Sequence, residues 1–162
     1  MRQSELDKLI RSVSEDSLRK AAAENFTIDI EHGVAVARVQ RRTELARDVP
    51  LLVLKARALI LDDVAGFVLD VRRAPGAVIP AVEKGYGEIL SAWEASGQPI
   101  AVLVGDPVQR MQLGQLVSDQ APRFGGLFSD REDARRFAGA SGVNPSTAIT
   151  SLFTDRPSRF RG

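Results

Sequence analysis

The sequence predicts an α/β fold: a mixed, mostly parallel sheet opened by an antiparallel hairpin and flanked by helices, with an extra helix at the N-terminus. Three observations predict it. The runs Gly66 to Val71 and Ile100 to Val104 are short, apolar and rich in β-branched residues, the pattern of strands covered on both faces. Segments with apolar residues three and four apart alternate with these runs, which implies right-handed crossovers and parallel pairing. Ahead of them, Phe26, Ile28 and Ile30 alternate with polar neighbours, His32-Gly33 punctuates, and Gly33 to Gln40 reads as the second arm of a hairpin.

Each element has its own local reason. Between Ser4 and Glu24, Leu6, Leu9, Ile10, Val13 and Leu18 fall at near-helical spacing, with Ser4 available as an N-cap and Asp7 three residues on. That amphipathic helix either packs on its own domain or is offered to a partner. From Thr43 to Asp63 the apolar residues are too dense for a strand, and a helix is expected over Val49 to Leu61, with Pro50 in its first turn behind Asp48 as a cap.

After the loop Arg72-Arg73-Ala74-Pro75-Gly76, the residues Val82, Tyr86, Ile89, Leu90 and Trp93 mark a helix ending near Gly97. The Trp93 stripe reads as core, and Gly85-Tyr86-Gly87 as a close packing point against a neighbouring helix. Gly105-Asp106-Pro107 then supplies a turn, an N-cap and a proline at the first position of a helix running to about Gln120. Leu127-Phe128 is a short strand, and Ser129 with Glu132 forms a capping box that opens a last helix to about Ala138. Beyond Gly142 the chain has Asn144-Pro145, scattered Ser and Thr, and Arg156, Arg159 and Arg161, with too few apolar residues for a further element. Three parts are expected: an N-terminal helix over 1–25, an α/β domain over 26–142, and a flexible, mildly basic tail over 143–162.

Composition narrows the function. At 162 residues, the chain has the size of one domain, large enough to bury roughly 70% of its unfolded surface. Its 22 basic and 21 acidic residues leave a net charge of +1, so no global field draws in nucleic acid or an anionic membrane. The tail also lacks the aromatic interleaving of a base-stacking segment, with Phe153 and Phe160 its only candidates. The absence of cysteine excludes disulfides, thiolate nucleophiles and cysteine-based metal sites. Met1 to Lys20 is charged every few residues, unlike a signal peptide, and no window approaches the ~20 apolar residues of a membrane helix. A cytoplasmic protein is expected.

Reactive constellations are missing. A triad or zinc site draws on imidazole, and His32, in the predicted hairpin turn, is the sole histidine. Neither GxxxxGK[ST] nor GxGxxG occurs to cradle phosphate. No catalytic residue, metal or cofactor is therefore assigned. Asp70 and Asp106 fall near the carboxyl ends of the two apolar strands, where open α/β sheets place ligands. They could hold a cation or share a proton, or simply cap and accept loop amides. Arg72, Arg73 and Arg110, near the same end, could receive an anionic group.

The order of hairpin, helix, Gly-Phe-Val-Leu-Asp-Val, helix, Ile-Ala-Val-Leu-Val, helix, short strand and Ser-Asp-Arg-Glu-Asp-Ala helix resembles STAS domains, the fold of anti-sigma factor antagonists and of sulfate-transporter regulatory tails. It is most similar to stand-alone bacterial STAS-like proteins of unknown role, in which a Phe-Ser-Asp type turn and an alanine-containing helix close the domain. The resemblance spans roughly Phe26 to Ala140. It implies a non-enzymatic interaction module, which in well-understood members is switched by phosphorylation of a serine at the start of the helix after the central strand. Here that place falls on Val78-Ile79-Pro80-Ala81, where no hydroxyl stands.

The expected function is regulatory protein–protein interaction without that serine, through Arg72, Arg73, Pro75, Gly76, Val78, Ile79 and Arg110. The expected partner is another protein, with a homodimer as one form. The alternative is a small-ligand or lipid-binding domain, or a minor enzyme, with a pocket between Asp70, Arg72 and Asp106.

Overall fold

A two-residue turn at His32 and Gly33, with φ of 53° and 81°, joins β1 (Phe26–Glu31) to β2 (Val34–Val39) as an antiparallel hairpin. Positive φ at both central residues gives the tight turn whose twist matches that of its strands, and glycine at the second position carries no steric cost. The computed structural model describes residues 25–40 and 45–142. The helix expected before β1 and the tail expected after Gly142 lie outside the described residues.

The chain continues through α1 (Leu45–Ala58), a 3-10 turn (Leu59–Leu61), β3 (Gly66–Asp70), α2 (Pro80–Ser96), β4 (Ile100–Leu103), α3 (Pro107–Gln120), β5 (Gly125–Phe128), α4 (Arg131–Ala138) and a second 3-10 turn (Gly139–Gly142). The five strands lie in sequence order, β1 antiparallel to β2 and every later pair parallel. This is the mixed sheet the sequence predicts. Every residue of β3 and of β4 is buried, as their apolar runs require.

The two faces are covered differently. Ala35, Ala37, Val39, Phe67, Leu69, Ile100 and Val102 point to the side on which α1, α2 and α3 pack. Val34, Val36, Val68, Ala101 and Leu103 point to the other side, toward Ala134 and Ala138 of α4. Alternation along each strand produces this division, and each large side chain withdrawn from water contributes about 1.5–3 kcal/mol. Trp93 sits in the larger core, fully buried, its ring 5.3 Å from that of Phe67 and its indole N–H donating to the Ala56 carbonyl at 3.1 Å. That bond removes the penalty of burying an indole donor.

Gly85 is where α1 and α2 come together. A Cβ at that position would lie 2.1 Å from Val49 Cγ1 and 3.5 Å from Val53 Cγ2. The helix ends at Gly97, whose φ of 74° lets its amide turn back to the Glu94 carbonyl. No helix among the described residues is long and apolar enough to cross a membrane.

Two local expectations need correcting. The first helix is in place by Leu45, earlier than Val49, so Pro50 lies inside it and Asp48 does not cap it. Asp48 is instead buried and accepts a hydrogen bond from Asn25 Nδ2, just before β1. A tertiary partner for the carboxylate has overridden its local capping preference. In the second case the last strand ends at Phe128 as expected, but the helix after it begins one residue later than the capping box implies. The N-cap of α4 is therefore Asp130, accepting from Asp133 N at 3.0 Å, while Glu132 pairs with Arg135 at 2.7 Å and the box from Ser129 does not form.

Candidate functional site

Parallel strands aim their carboxyl ends at one edge of the domain, and the residues that leave β3 and β4 there decide what that edge can bind. Asp70 ends β3 and is buried. Its carboxylate is taken from two sides by Arg72: Nε to Oδ1 at 3.0 Å, Nη2 to Oδ2 at 2.9 Å, and the Arg72 amide to Oδ1 at 3.1 Å. Such a planar fork suits a bidentate pair, and the hydrogen bond to Asp70 raises the Arg72 guanidinium above its ordinary range.

The loop from Val71 to Ile79 is held by the first turns of α3. Asp106 is the N-cap, accepting from Gln109 N at 2.8 Å, and its other oxygen accepts from Gly76 N at 2.8 Å. These two amides, Gln109 first, hold its carboxyl below the usual aspartate range. Gln109 is fully buried; its Nε2 donates to the carbonyls of Val71 at 2.8 Å and Ala74 at 2.6 Å, while Oε1 accepts from Gly105 N at 2.9 Å. One turn on, Gln112 Oε1 accepts from Val78 N at 2.7 Å and Nε2 donates to the Val78 carbonyl at 2.8 Å. Asp106, Gln109 and Gln112 stand three residues apart, so one side of the helix meets the loop.

The expected site residues are therefore distributed as follows. Asp70 and Asp106 flank the same end without sharing a ligand space, each carboxylate being filled by its own partners. Arg73 is exposed and donates to Gln40 Oε1 at 3.0 Å. Pro75 and Ile79 are exposed, Gly76 and Val78 half-buried, and Arg110 exposed on α3. Ile79 occupies the N-cap of α2 with no side-chain hydrogen bond, and Pro80 follows at the first helical position. A cavity of about 20 Å³ beneath the loop is lined by Val71, Ala74, Ala77, Val78, Ile79, Val82 and Tyr86. Burial pushes the Tyr86 phenol up. No group of three or more His, Cys, Asp or Glu that could hold a metal occurs among the described residues.

Sequence reasoning passed over Gln109, Gln112, Val108 and Met111. A signal for Gln109 was present: with Leu113 and Val117 it forms an inward stripe four residues apart, and a glutamine on such a stripe must find buried partners. Val108 and Met111, at 44% and 74% exposure, carry no such signal, because an outward apolar residue is legible only once the helix has a facing.

No protein-family model and no curated protein matches the chain. Solved structures do. An anti-sigma factor antagonist from Mycobacterium paratuberculosis superposes with a TM-score of 0.53 at 17% identity, covering 70% of this chain and 92% of that one. A candidate anti-sigma factor antagonist from Thermotoga maritima gives 0.52 at 13% identity, covering 70% and 93%. The hairpin, the parallel strands and the helices on both faces thus form a STAS-like fold, as the order of elements in the sequence implies.

Proposed function

We propose that this chain is a non-enzymatic regulatory module that docks another protein with the loop Arg72 to Ile79 and the first turns of α3, and that it does so in the cytoplasm without a phosphoserine switch. The observation that carries this reading is the clamp from Asp106, Gln109 and Gln112, which fixes the loop through both its amides and its carbonyls. A surface ordered in advance loses little entropy on binding. Asp106, Gln109 and Gln112, the polar groups facing this end from α3, are used up in holding the loop. The comparison structures, both described as antagonists of anti-sigma factors, support a regulatory docking role for the fold.

The place at which a switching serine would stand falls on Val78-Ile79-Pro80-Ala81, around the Ile79 N-cap of α2, with no hydroxyl to phosphorylate. Regulation through that helix start would require a hydroxyl near the dipole and free amides. A small-ligand pocket at Asp70 and Asp106 has less behind it, since both carboxylates are occupied and the cavity nearby has about the volume of one water.

The test is affinity capture with the tagged full chain from its native cells, set beside Arg73→Glu and Arg110→Glu. A specific protein retained by the parent and lost by the double variant supports the reading; equal recovery by both removes this surface. Arg72 is unsuitable for the test, because changing it also exposes Asp70. A thermal-shift screen of metabolites and lipids addresses the pocket alternative, which a stabilising compound would revive.

A further inference from the structure

α1 is apolar on two sides. Val49, Leu52, Val53 and Ala56 turn into the core, while Leu51, at the border of that core, shares another side of the helix with Leu54 and Ala58, three and seven residues on. The 3-10 turn carries this stripe on to Leu61, three residues after Ala58. Leu51 is half-buried and Ala58 exposed, and the large side chains Leu54 and Leu61 stand 48% and 90% exposed. A helix that is apolar nearly all round is stable when both sides are covered.

The charges along the stripe are unpaired and ordered. Lys55 and Arg57 stand beside it in the helix and Asp62 and Asp63 follow it, all four exposed. None of the four takes part in a salt bridge among the described residues. Cations at one end and anions at the other suit an occupant with the reverse order.

The chain itself supplies that occupant. The helix that the sequence predicts over Ser4 to Glu24 carries Leu6, Leu9, Ile10, Val13 and Leu18. It leads into Asn25, which is helical, fully buried and bonded through Nδ2 to Asp48 in the first turn of α1. A helix arriving there along the stripe runs antiparallel to α1, and with equal rise per residue its positions match by counting outward from that bond. Ala22 then lies level with Leu51, Leu18 with Lys55 beside Leu54, Asp16 with Arg57, and Arg11 with Asp62. Leu9 to Leu18 spans about 14 Å of helix and Leu51 to Leu61 about 15 Å. A tether at Asn25 also holds the segment at an effective concentration on the order of millimolar, which favours it over a second copy in solution.

Independently of the docking role above, we infer that residues Leu6 to Ala22 fold back as a helix antiparallel to α1 and cover Leu51, Leu54, Ala58 and Leu61. That placement closes this side of α1 to other partners.

The chain has no cysteine, so introduced thiols report proximity without background. In the full chain, Ser17→Cys with Lys55→Cys should be bridged by a short bis-maleimide at monomer mass, at least about tenfold faster than Ser17→Cys with Gln115→Cys on α3. Equal rates for the two pairs overturn the placement. A bridge that joins two chains instead, with a dimer in sedimentation, puts a second copy on the stripe and overturns it as well.

Thermal melts supply the second measurement. Exposed substitutions are ordinarily close to neutral, yet Leu54→Asp with Leu61→Asp should lower the melting temperature by about 4 °C or more, and so should Val13→Asp. All three together should lower it no further than the larger of these shifts, because one contact is lost either way. Unchanged melting temperatures, or shifts that add, overturn the proposal. Leu54→Ala with Leu61→Ala keeps the comparison readable where the aspartates prevent folding.

Discussion

Gln109 of α3 donates from Nε2 to the carbonyl of Val71 at 2.8 Å, tying the first residue after β3 to the helix that follows β4. The same amide reaches the Ala74 carbonyl at 2.6 Å. One buried side chain thus sets the path of the loop. Gln109→Leu should lower stability by about 1–3 kcal/mol, since the Ala74 carbonyl loses its donor and the Gly105 amide its acceptor, while the Val71 carbonyl keeps only the Ala74 amide. Urea unfolding measures this. Gln112→Ala, at a half-buried position, should cost about 1 kcal/mol or less and speed hydrogen exchange at the Val78 amide, which would lose its acceptor.

Two glycines two residues apart on α2 should respond oppositely to alanine. At Gly85 the new Cβ would meet the stiff, buried Val49 at 2.1 Å, and the helices must separate. A net loss of about 1–3 kcal/mol is expected despite the gain in helix propensity. At Gly87 the nearest atom, Leu116 Cδ1, is 3.5 Å away, an ordinary contact. Gly87→Ala should stabilise by up to about 1 kcal/mol. Thermal melts of the two variants side by side decide the matter; equal shifts would contradict the packing described here.

The neighbouring arginines Arg72 and Arg73 should also separate. Arg72→Glu removes the fork from a buried carboxylate and sets a second negative group beside it, a loss of about 2–3 kcal/mol. Arg73→Glu touches only an exposed bond to Gln40 and should leave stability within about 0.5 kcal/mol. Chemical denaturation of both variants measures the contrast.

Asp106 gives the acid limb of stability a defined sign. Its folded value lies below the ordinary aspartate value of about 3.9 because the Gln109 and Gly76 amides favour the charged form. Its contribution is complete above the unfolded value and is lost as pH falls from there through the lower folded value. Asp106→Asn should therefore flatten the decline of the melting temperature below about pH 4. An unchanged slope would mean that the amides do not distinguish the two protonation states.

The alternating elements were legible because each depends on neighbours in the chain. Periodicity marked β3, β4 and α2, Asp106-Pro107 marked the start of α3, and His32-Gly33 marked the hairpin. Local signals misled where a distant group competed for the same atoms. Asp48 gave up capping for Asn25, 23 residues away in sequence.

Hydrophobic pattern and turn chemistry, both properties of short stretches, were sufficient for the sequence alone to determine a layered α/β sheet whose parallel strands end at one edge. Only the tertiary structure decided what that end became. The clamp on the loop joins residues 30 and more positions apart, such as Gly76 with Asp106 and Val71 with Gln109, and the facing of Val108 and Met111 depends on how α3 is set against β5 and α2. Burial and hydrogen-bond partners at that range are properties of chain segments brought together in space, and no local pattern encodes them.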